Sequence, residues 1–422
     1  MTQTERARPR ASRHSRLLLT VAASAGLALL ASGCTAQAGA TDESGEQNHA
    51  GHSHADHDHS AHADRLAVTT AGGITVLDAS ALDAGTLSEA GQLDTEEFTR
   101  LNSFGDGKHL LVTTSRGFEV LDTDSAKLTG LVFPATAAGH VVRHADRTVL
   151  YDDGTGRTTI LDTAALDRDN TTAPKQREYT AEAPHHGVSI ELGDGTLLTT
   201  VGTADGRTGA VALAPHDDHW HEHAVSADCP GIHGEGTAKD EAVVFGCEDG
   251  ALLFQDGEFT KLSAPDAYGR MGNAFVSEDS PLVVGDYKND PDAEGYLLSA
   301  VTLIDTAAGT LRVAELPENV RYTYRDVVRG PEGHAYILST DGSIHVLDAA
   351  TGKIVNEFPV IAAWEGPANW QDPHPTIVTD GSTAYVTEPA AKTVHAVDLE
   401  SGKTLASAKL AGVPNEIAIA RG

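Results

Sequence analysis

The chain has 422 residues, with 61 acidic against 30 basic side chains and a formal charge of -31. A chain this acidic repels nucleic acid and anionic lipid headgroups, which excludes both as partners, and it attracts cations. Charge alone implies no more than solubility, so any function must come from motifs.

The first segment reads as an export signal. Arg6, Arg8, Arg10, Arg13 and Arg16 precede the apolar run Leu17–Ala31, and small residues then lead into Cys34. That order predicts a secretory leader whose apolar core is short for a membrane span. The sequence ASGC resembles a bacterial lipobox, with Ala31 where leucine is usual, so Cys34 is the expected lipidation site. The expected boundaries are a leader at 1–33, a tether at 34–64 and a folded domain at 65–422. The protein is expected to be exported, monomeric and lipid-anchored on the outer face of the cytoplasmic membrane.

The tether contains HAGHSHADHDHSAH, with His49, His52, His54, His57, His59 and His62. Its Gly, Ser, His and acidic composition cannot bury a core. Close, irregular spacing offers many interchangeable imidazoles and no fixed geometry, so weak, rapidly exchanging metal binding is expected there.

Beyond Arg65 a repeat takes over. ITVLDAS, FEVLDTDSAK, TTILDTAAL, VTLIDTAAGT, IHVLDAATGK and VHAVDLESGK share a β-rich run, an aspartate and a turn. Their aspartates are Asp78, Asp122, Asp162, Asp305, Asp348 and Asp398. Weaker copies near Ala214 and Gln255 fill the one long gap. Units of about 45 residues with several short alternating strands predict an all-β fold, a β-propeller of eight blades, with seven as the alternative. The terminal stretch VPNEIAIARG reads as an inner strand lacking outer partners, and RLAVTTAGGITVLDAS as outer strands lacking an inner one. Pairing the two would close the ring and remove exposed edges.

The histidines fall at one phase of that repeat. His140, His186, His233, Asp326 and His374 stand near the starts of inner strands, spaced by about one repeat or two. Side chains at one phase ring the propeller axis, and imidazoles with one carboxylate form a zinc-type ligand set. His185 could replace His186, because adjacent strand residues face opposite ways, and Asp372 could replace His374. In PHDDHWHEH, His216, His219, His221 and His223 offer a possible second metal site, since His219, His221 and His223 would share one strand face. A polar edge that blocks strand pairing is the competing reading. The acidic loop Tyr287–Gly295 reads as a solvated turn. Cys229 and Cys247 predict a disulfide in an oxidising compartment, with a zinc thiolate pair as the alternative.

With APHHGV, CPGIHGEG followed by VVFGCEDG, and NWQDPHPTIVTDG, the chain resembles the AztD-type zinc metallochaperones. The resemblance implies an extracytoplasmic propeller that binds zinc and delivers it to the solute-binding protein of a zinc ABC transporter, with more than one zinc site. The residues matching its histidine motifs are His140, His185 or His186, His233 and His374; Asp326 comes from the repeat phase instead. A lipid tether departs from freely soluble members. The chemistry expected is ligand exchange without covalent catalysis. A metal-dependent propeller hydrolase or lactonase and a surface interaction propeller are the alternatives, and no Gly-x-Ser-x-Gly elbow is present.

Overall fold

The computed structural model describes residues 65–166, 172–216 and 219–421. The leader, Cys34, and the tether with His49, His52, His54, His57, His59 and His62 lie outside the described residues.

Each repeat folds as an antiparallel meander, and eight such sheets form an eight-bladed propeller. The inner strands are Leu101–Ser103, Ala138–His144, Ser189–Glu191, His233–Thr237, Ala274–Phe275, Val327–Arg329, Ile377–Asp380 and Ile417–Ile419. The two weak repeats also hold: Gly206–His216 and Asp249–Gln255 are the third strands of their sheets. The conserved-looking position within the repeats is a turn device. Asp122 accepts the Ser125 amide at 2.9 Å, Asp305 the Ala308 amide at 3.0 Å and Asp348 the Ala350 amide at 2.8 Å. A short carboxylate closing its own turn in this way reverses the chain between third and fourth strands. At Asp398 the Ser401 hydroxyl and amide hold the carboxyl below its usual range. Asp162 departs from the pattern and pairs with Arg147 at 2.8 Å.

Alternation at period two was expected throughout, and the structure confines it mainly to outer strands. Gln176–Thr180 alternates between exposed and half-buried positions. In Thr383–Glu388 the four central residues are all buried, because both faces of a middle strand pack on neighbouring blades. The core is therefore a set of layers between blades. Leu66, Val68 and Leu77 of the first blade pack on Tyr385, Val394 and Ala396 of the last, and equivalent clusters continue round the ring.

The ends close the ring as the sequence implied. Leu66, Ala67 and Val68 pair with Ile419, Ala418 and Ile417. The Thr69 amide donates to Glu416 O and the Ala420 amide to Arg65 O, both at 2.9 Å. Among the described residues no helix is long and apolar enough to cross a membrane.

Cys229 and Cys247 form a disulfide across 18 positions, which removes the zinc thiolate alternative. Both are fully buried in the apolar cluster that runs from the third to the fifth blade, next to the strand that starts at His233. In the chain-entropy account a loop of this size contributes about 3 kcal/mol. Replacing both cysteines by alanine should lower the unfolding free energy by about that amount in urea titrations, and reductant should reproduce the loss in the unmodified protein.

Candidate metal centre

Three of the expected axial residues meet. His140, His186 and His233 each offer a ring nitrogen within 4.8 Å of the other two. Their ring centroids are 5.1–5.3 Å apart. They come from the starts of successive inner strands, so the repeat phase itself brings them to one height.

Local backbone irregularity aims the rings. A bulge between Ala138 and Val141 places His140, and a second between His233 and Glu235 places His233. Bulges re-aim a side chain out of the regular alternation. Each histidine has a glycine neighbour: Gly139, Gly187 and Gly234. All three are required by close approach, Gly187 because a Cβ there would lie 2.4 Å from the Tyr151 ring. A Cβ on Gly139 would lie 2.3 Å from Asp153 Oδ1, and one on Gly234, at φ +64°, would lie 2.4 Å from the Gly272 carbonyl.

Those same two acceptors set the tautomers. His186 Nδ1–H donates to Asp153 Oδ2 at 2.5 Å, and His233 Nδ1–H donates to Gly272 O at 2.7 Å. With both Nδ1 atoms protonated, the two Nε2 atoms present lone pairs to one another at 3.1 Å. Such outer partners orient metal-ligating imidazoles and raise their basicity. Burial, then the neighbouring His233 and His186, hold the His140 imidazole well below its usual range. Burial likewise brings His233 down to about 4.

The cluster opens into a cavity of about 490 Å³ that Arg100, Arg270, Lys288, Tyr324 and Trp370 also line. Asp286, on the same wall, is already bonded to the Gly272 amide at 2.5 Å and to Asn273 Nδ2 at 2.7 Å. The acidic loop Tyr287–Gly295 is mostly exposed, and its ends reach the cavity rim through Lys288 and Gly295.

The remaining expected axial residues do not join the cluster. His185 turns into its blade, where Nε2 meets Tyr151 Oη and Thr200 Oγ1 at 3.0 Å each and Nδ1 meets Ala183 O at 2.9 Å. Adjacent residues facing opposite ways decide between His185 and His186. Asp326 is fully buried and accepts the Thr323 amide at 2.6 Å; burial pushes its carboxyl up to about 8. A carboxyl that is neutral at pH 7 is a poor metal ligand. His374 is 2% exposed, with Nδ1–H donating to Asp372 O at 2.7 Å and Nε2 without a partner. Asp372 itself accepts the Asn369 amide at 2.9 Å. Among the described residues the cluster therefore consists of three histidines that could hold a metal, with an open side.

At the outer edge the structure assembles a different triad from the one expected. His216, His219 and His221 converge, with ring centroids 4.8–4.9 Å apart. His216 pairs with His219 across the hairpin, and His221 with Ala214. A register shift between Ala212 and Leu213 then takes His223 off that face, and its Nε2 lies against Gly257 instead. Strict alternation fails at a bulge, and sequence reasoning had assumed alternation.

Sequence reasoning also missed Asp153 and the Gly272 carbonyl. The signal available for the bulges was a glycine beside every cluster histidine. Asp153 had none, because its role depends on the approach of a neighbouring blade.

No protein-family model matches the chain. Among solved structures it is similar to apo AztD from Citrobacter koseri, with a TM-score of 0.67 and 21% identity, covering 85% of this chain and 98% of that one. A second AztD structure from the same organism gives 0.66 and 20%, with the same coverage. The dihydro-heme d1 dehydrogenase NirN is more distant, at 0.57 and 11%, covering 84% of this chain and 75% of its own. At these identities the likeness is one of fold: the chain shares the eight-bladed β-propeller fold of the AztD structures.

Proposed function

We propose that the protein is an extracytoplasmic zinc-binding metallochaperone that takes up zinc at His140, His186 and His233 and passes it to the solute-binding protein of a zinc ABC transporter. One observation carries the metal reading: two Nε2 lone pairs held 3.1 Å apart, each fixed by a hydrogen bond on the far side of its ring. Two neutral acceptors repel at that distance unless a cation lies between them. Tetrahedral nitrogen ligands at 2.0–2.1 Å from zinc stand about 3.3 Å apart, so the spacing suits zinc closely.

The open side supports transfer over storage. Three protein ligands leave a position for an incoming ligand of an acceptor, so exchange proceeds through a shared-ligand complex without emptying the sphere. Arg100, Arg270 and Lys288 around the cavity oppose a bound dication and so favour its release. The histidine arm, tethered to the domain, would raise the local zinc concentration. The exposed His216, His219 and His221 triad is proposed as a second, more weakly held site. The AztD-type resemblance in fold and motifs supports the transporter assignment and the extracytoplasmic location, as does the disulfide.

An open three-histidine site would also suit a zinc hydrolase. Against that reading, the carboxylates nearest the cluster are already engaged, Asp153 by His186 and Asp286 by two amides and Asn273. We therefore read the protein as a carrier, and zinc-loaded protein should show no lactone or ester hydrolysis above that of the metal-free form.

Zinc analysis of the domain with and without residues 34–64, followed by transfer to the solute-binding protein, tests the proposal. Combined His140→Ala, His186→Ala and His233→Ala should abolish tight binding, whereas removal of the arm should slow loading and leave the tight equivalent in place. Tight binding that survives the triple variant would sink the central site. Asp153→Asn should weaken zinc by about 10–100-fold while leaving all three ligands in place. His219→Ala should remove one weak equivalent and leave the tight one.

The pH dependence follows from the depressed imidazoles. Both groups have folded values below the unfolded value of about 6.5, so they stay neutral and ready to bind as pH falls through 6.5. Between pH 7.5 and 5.5 the loss of zinc affinity should be about a hundredfold smaller than if both titrated near 6.5. The sign for stability is opposite. Unfolded His140 and His233 take up protons from about pH 6.5 downward, while folded His233 does not until about 4 and folded His140 is held well below 6.5, so metal-free protein should lose stability as pH falls through that window.

A further inference from the structure

The far end of the channel carries the opposite chemistry. The histidines stand near the starts of inner strands, whereas three arginines stand at or beyond their ends. Arg143 lies late in Ala138–His144, Arg329 closes Val327–Arg329, and Arg421 follows Ile417–Ile419. The three line a cavity of about 450 Å³ together with Asn102, Ser103 and Thr379 and an apolar wall that includes Phe275 and Val328. No residue lines both this cavity and the one at the histidine cluster, and no carboxylate lines this one.

A charge partly withdrawn from water is normally paired; Arg329 and Arg421 are half-buried, while Arg143 keeps more of its exposure at the cavity mouth. Arg329 is largely satisfied: Nη1 donates to Leu282 O at 2.6 Å and Nη2 to Gly333 O at 2.6 Å. Its Nε has no partner. The guanidinium groups of Arg143 and Arg421 have no hydrogen bond or ion pair among the described residues. Glu278 acts favourably on Arg143 from a distance, but its carboxylate is bonded to His144 Nδ1 at 3.0 Å. Asp380 acts likewise on Arg421. Burial, and for Arg143 the charge of Arg421, pull both guanidinium groups below the usual arginine range. In a chain with twice as many acids as bases, this concentration of unpaired positive charge is an exception.

We infer that this end of the channel is a binding site for a small organic dicarboxylate. Two unpaired guanidinium forks match two carboxylates, each able to accept a bidentate pair. The apolar wall would cover a short hydrocarbon spacer, and the cavity is larger than an inorganic oxyanion fills. The Asn102 amide and the Ser103 hydroxyl, which accepts the Arg421 amide and keeps its own proton, supply further donors. The inference does not rest on the metal reading, and its test uses metal-free protein throughout.

Calorimetric titration of the metal-free domain with succinate, glutarate, acetate and inorganic phosphate provides the test, backed by thermal unfolding with each anion. One dicarboxylate should bind per chain, with acetate and phosphate at least tenfold weaker. Arg143→Met and Arg421→Met should each cost at least tenfold, while Lys353→Met on an exposed outer strand should change nothing. Without ligand, both arginine variants should unfold at the wild-type temperature or above, because each removes a repelling charge. Dicarboxylate should raise the unfolding temperature of the wild type and not of the double variant. The inference is overturned by the absence of dicarboxylate binding, by phosphate binding as tightly, or by binding that survives in the double variant. It is also overturned if the ligand-free arginine variants unfold at lower temperature, since the side chains would then be structural.

Discussion

Everything functional in this molecule depends on a short ladder. Leu66, Ala67 and Val68 pair with Ile419, Ala418 and Ile417, joining the two ends of the described chain in one sheet. No blade of this propeller buries both of its faces alone, so each apolar layer depends on the next blade being in place. Closing the ring supplies the last interface, where Leu66 and Val68 meet Val394 and Ala396. Glu416, next to the closing strand, also pairs with Arg325 at 2.7 Å and ties the closure to another blade. Without closure the inner strands would have no common axis, and residues at one repeat phase would not meet.

Given the ring, both ends of the channel are consequences of where side chains fall along the inner strands. Histidines at the starts converge on one side, and arginines at the ends converge on the other. The two sets differ in how their costs are met. Asp153 and the Gly272 carbonyl orient His186 and His233, and burial keeps the His140 and His233 imidazoles neutral at pH 7, so those two rings hold no charge of their own. Arg143 and Arg421 hold charge that the surrounding protein does not balance. The disulfide sits between these roles, as a buried link beside the strand that presents His233.

The repeat was legible because the aspartate of each unit has a local task. Asp122, Asp305 and Asp348 close turns with amides two or three residues on, so the same residue recurs wherever the same turn recurs. Blade number followed from that spacing, and ring closure from the two terminal stretches that each lacked partner strands. The axial histidines were legible to the accuracy of the repeat phase, which selected His140, His186 and His233 but also admitted Asp326 and His374. Phase gives height along the axis and says nothing of direction. Asp326 turned into the core to cap Thr323, and His374 turned toward Asp372. At the outer edge His223 was misplaced because one bulge reverses the face of every later residue.

The sequence by itself determined the elements whose causes are local: the turns, the strand-length runs, the cysteine pair and the presence of histidine at the inner edge of four blades. Only the tertiary structure decided which imidazoles share a centre, because that depends on bulges set by neighbouring backbones. The approach of Gly234 to Gly272 is of this kind, since Gly272 leads into the next blade. The arginine-lined cavity was invisible in one dimension for the same reason. Arg143, Arg329 and Arg421 belong to three different blades, and only the closed ring brings them to one wall.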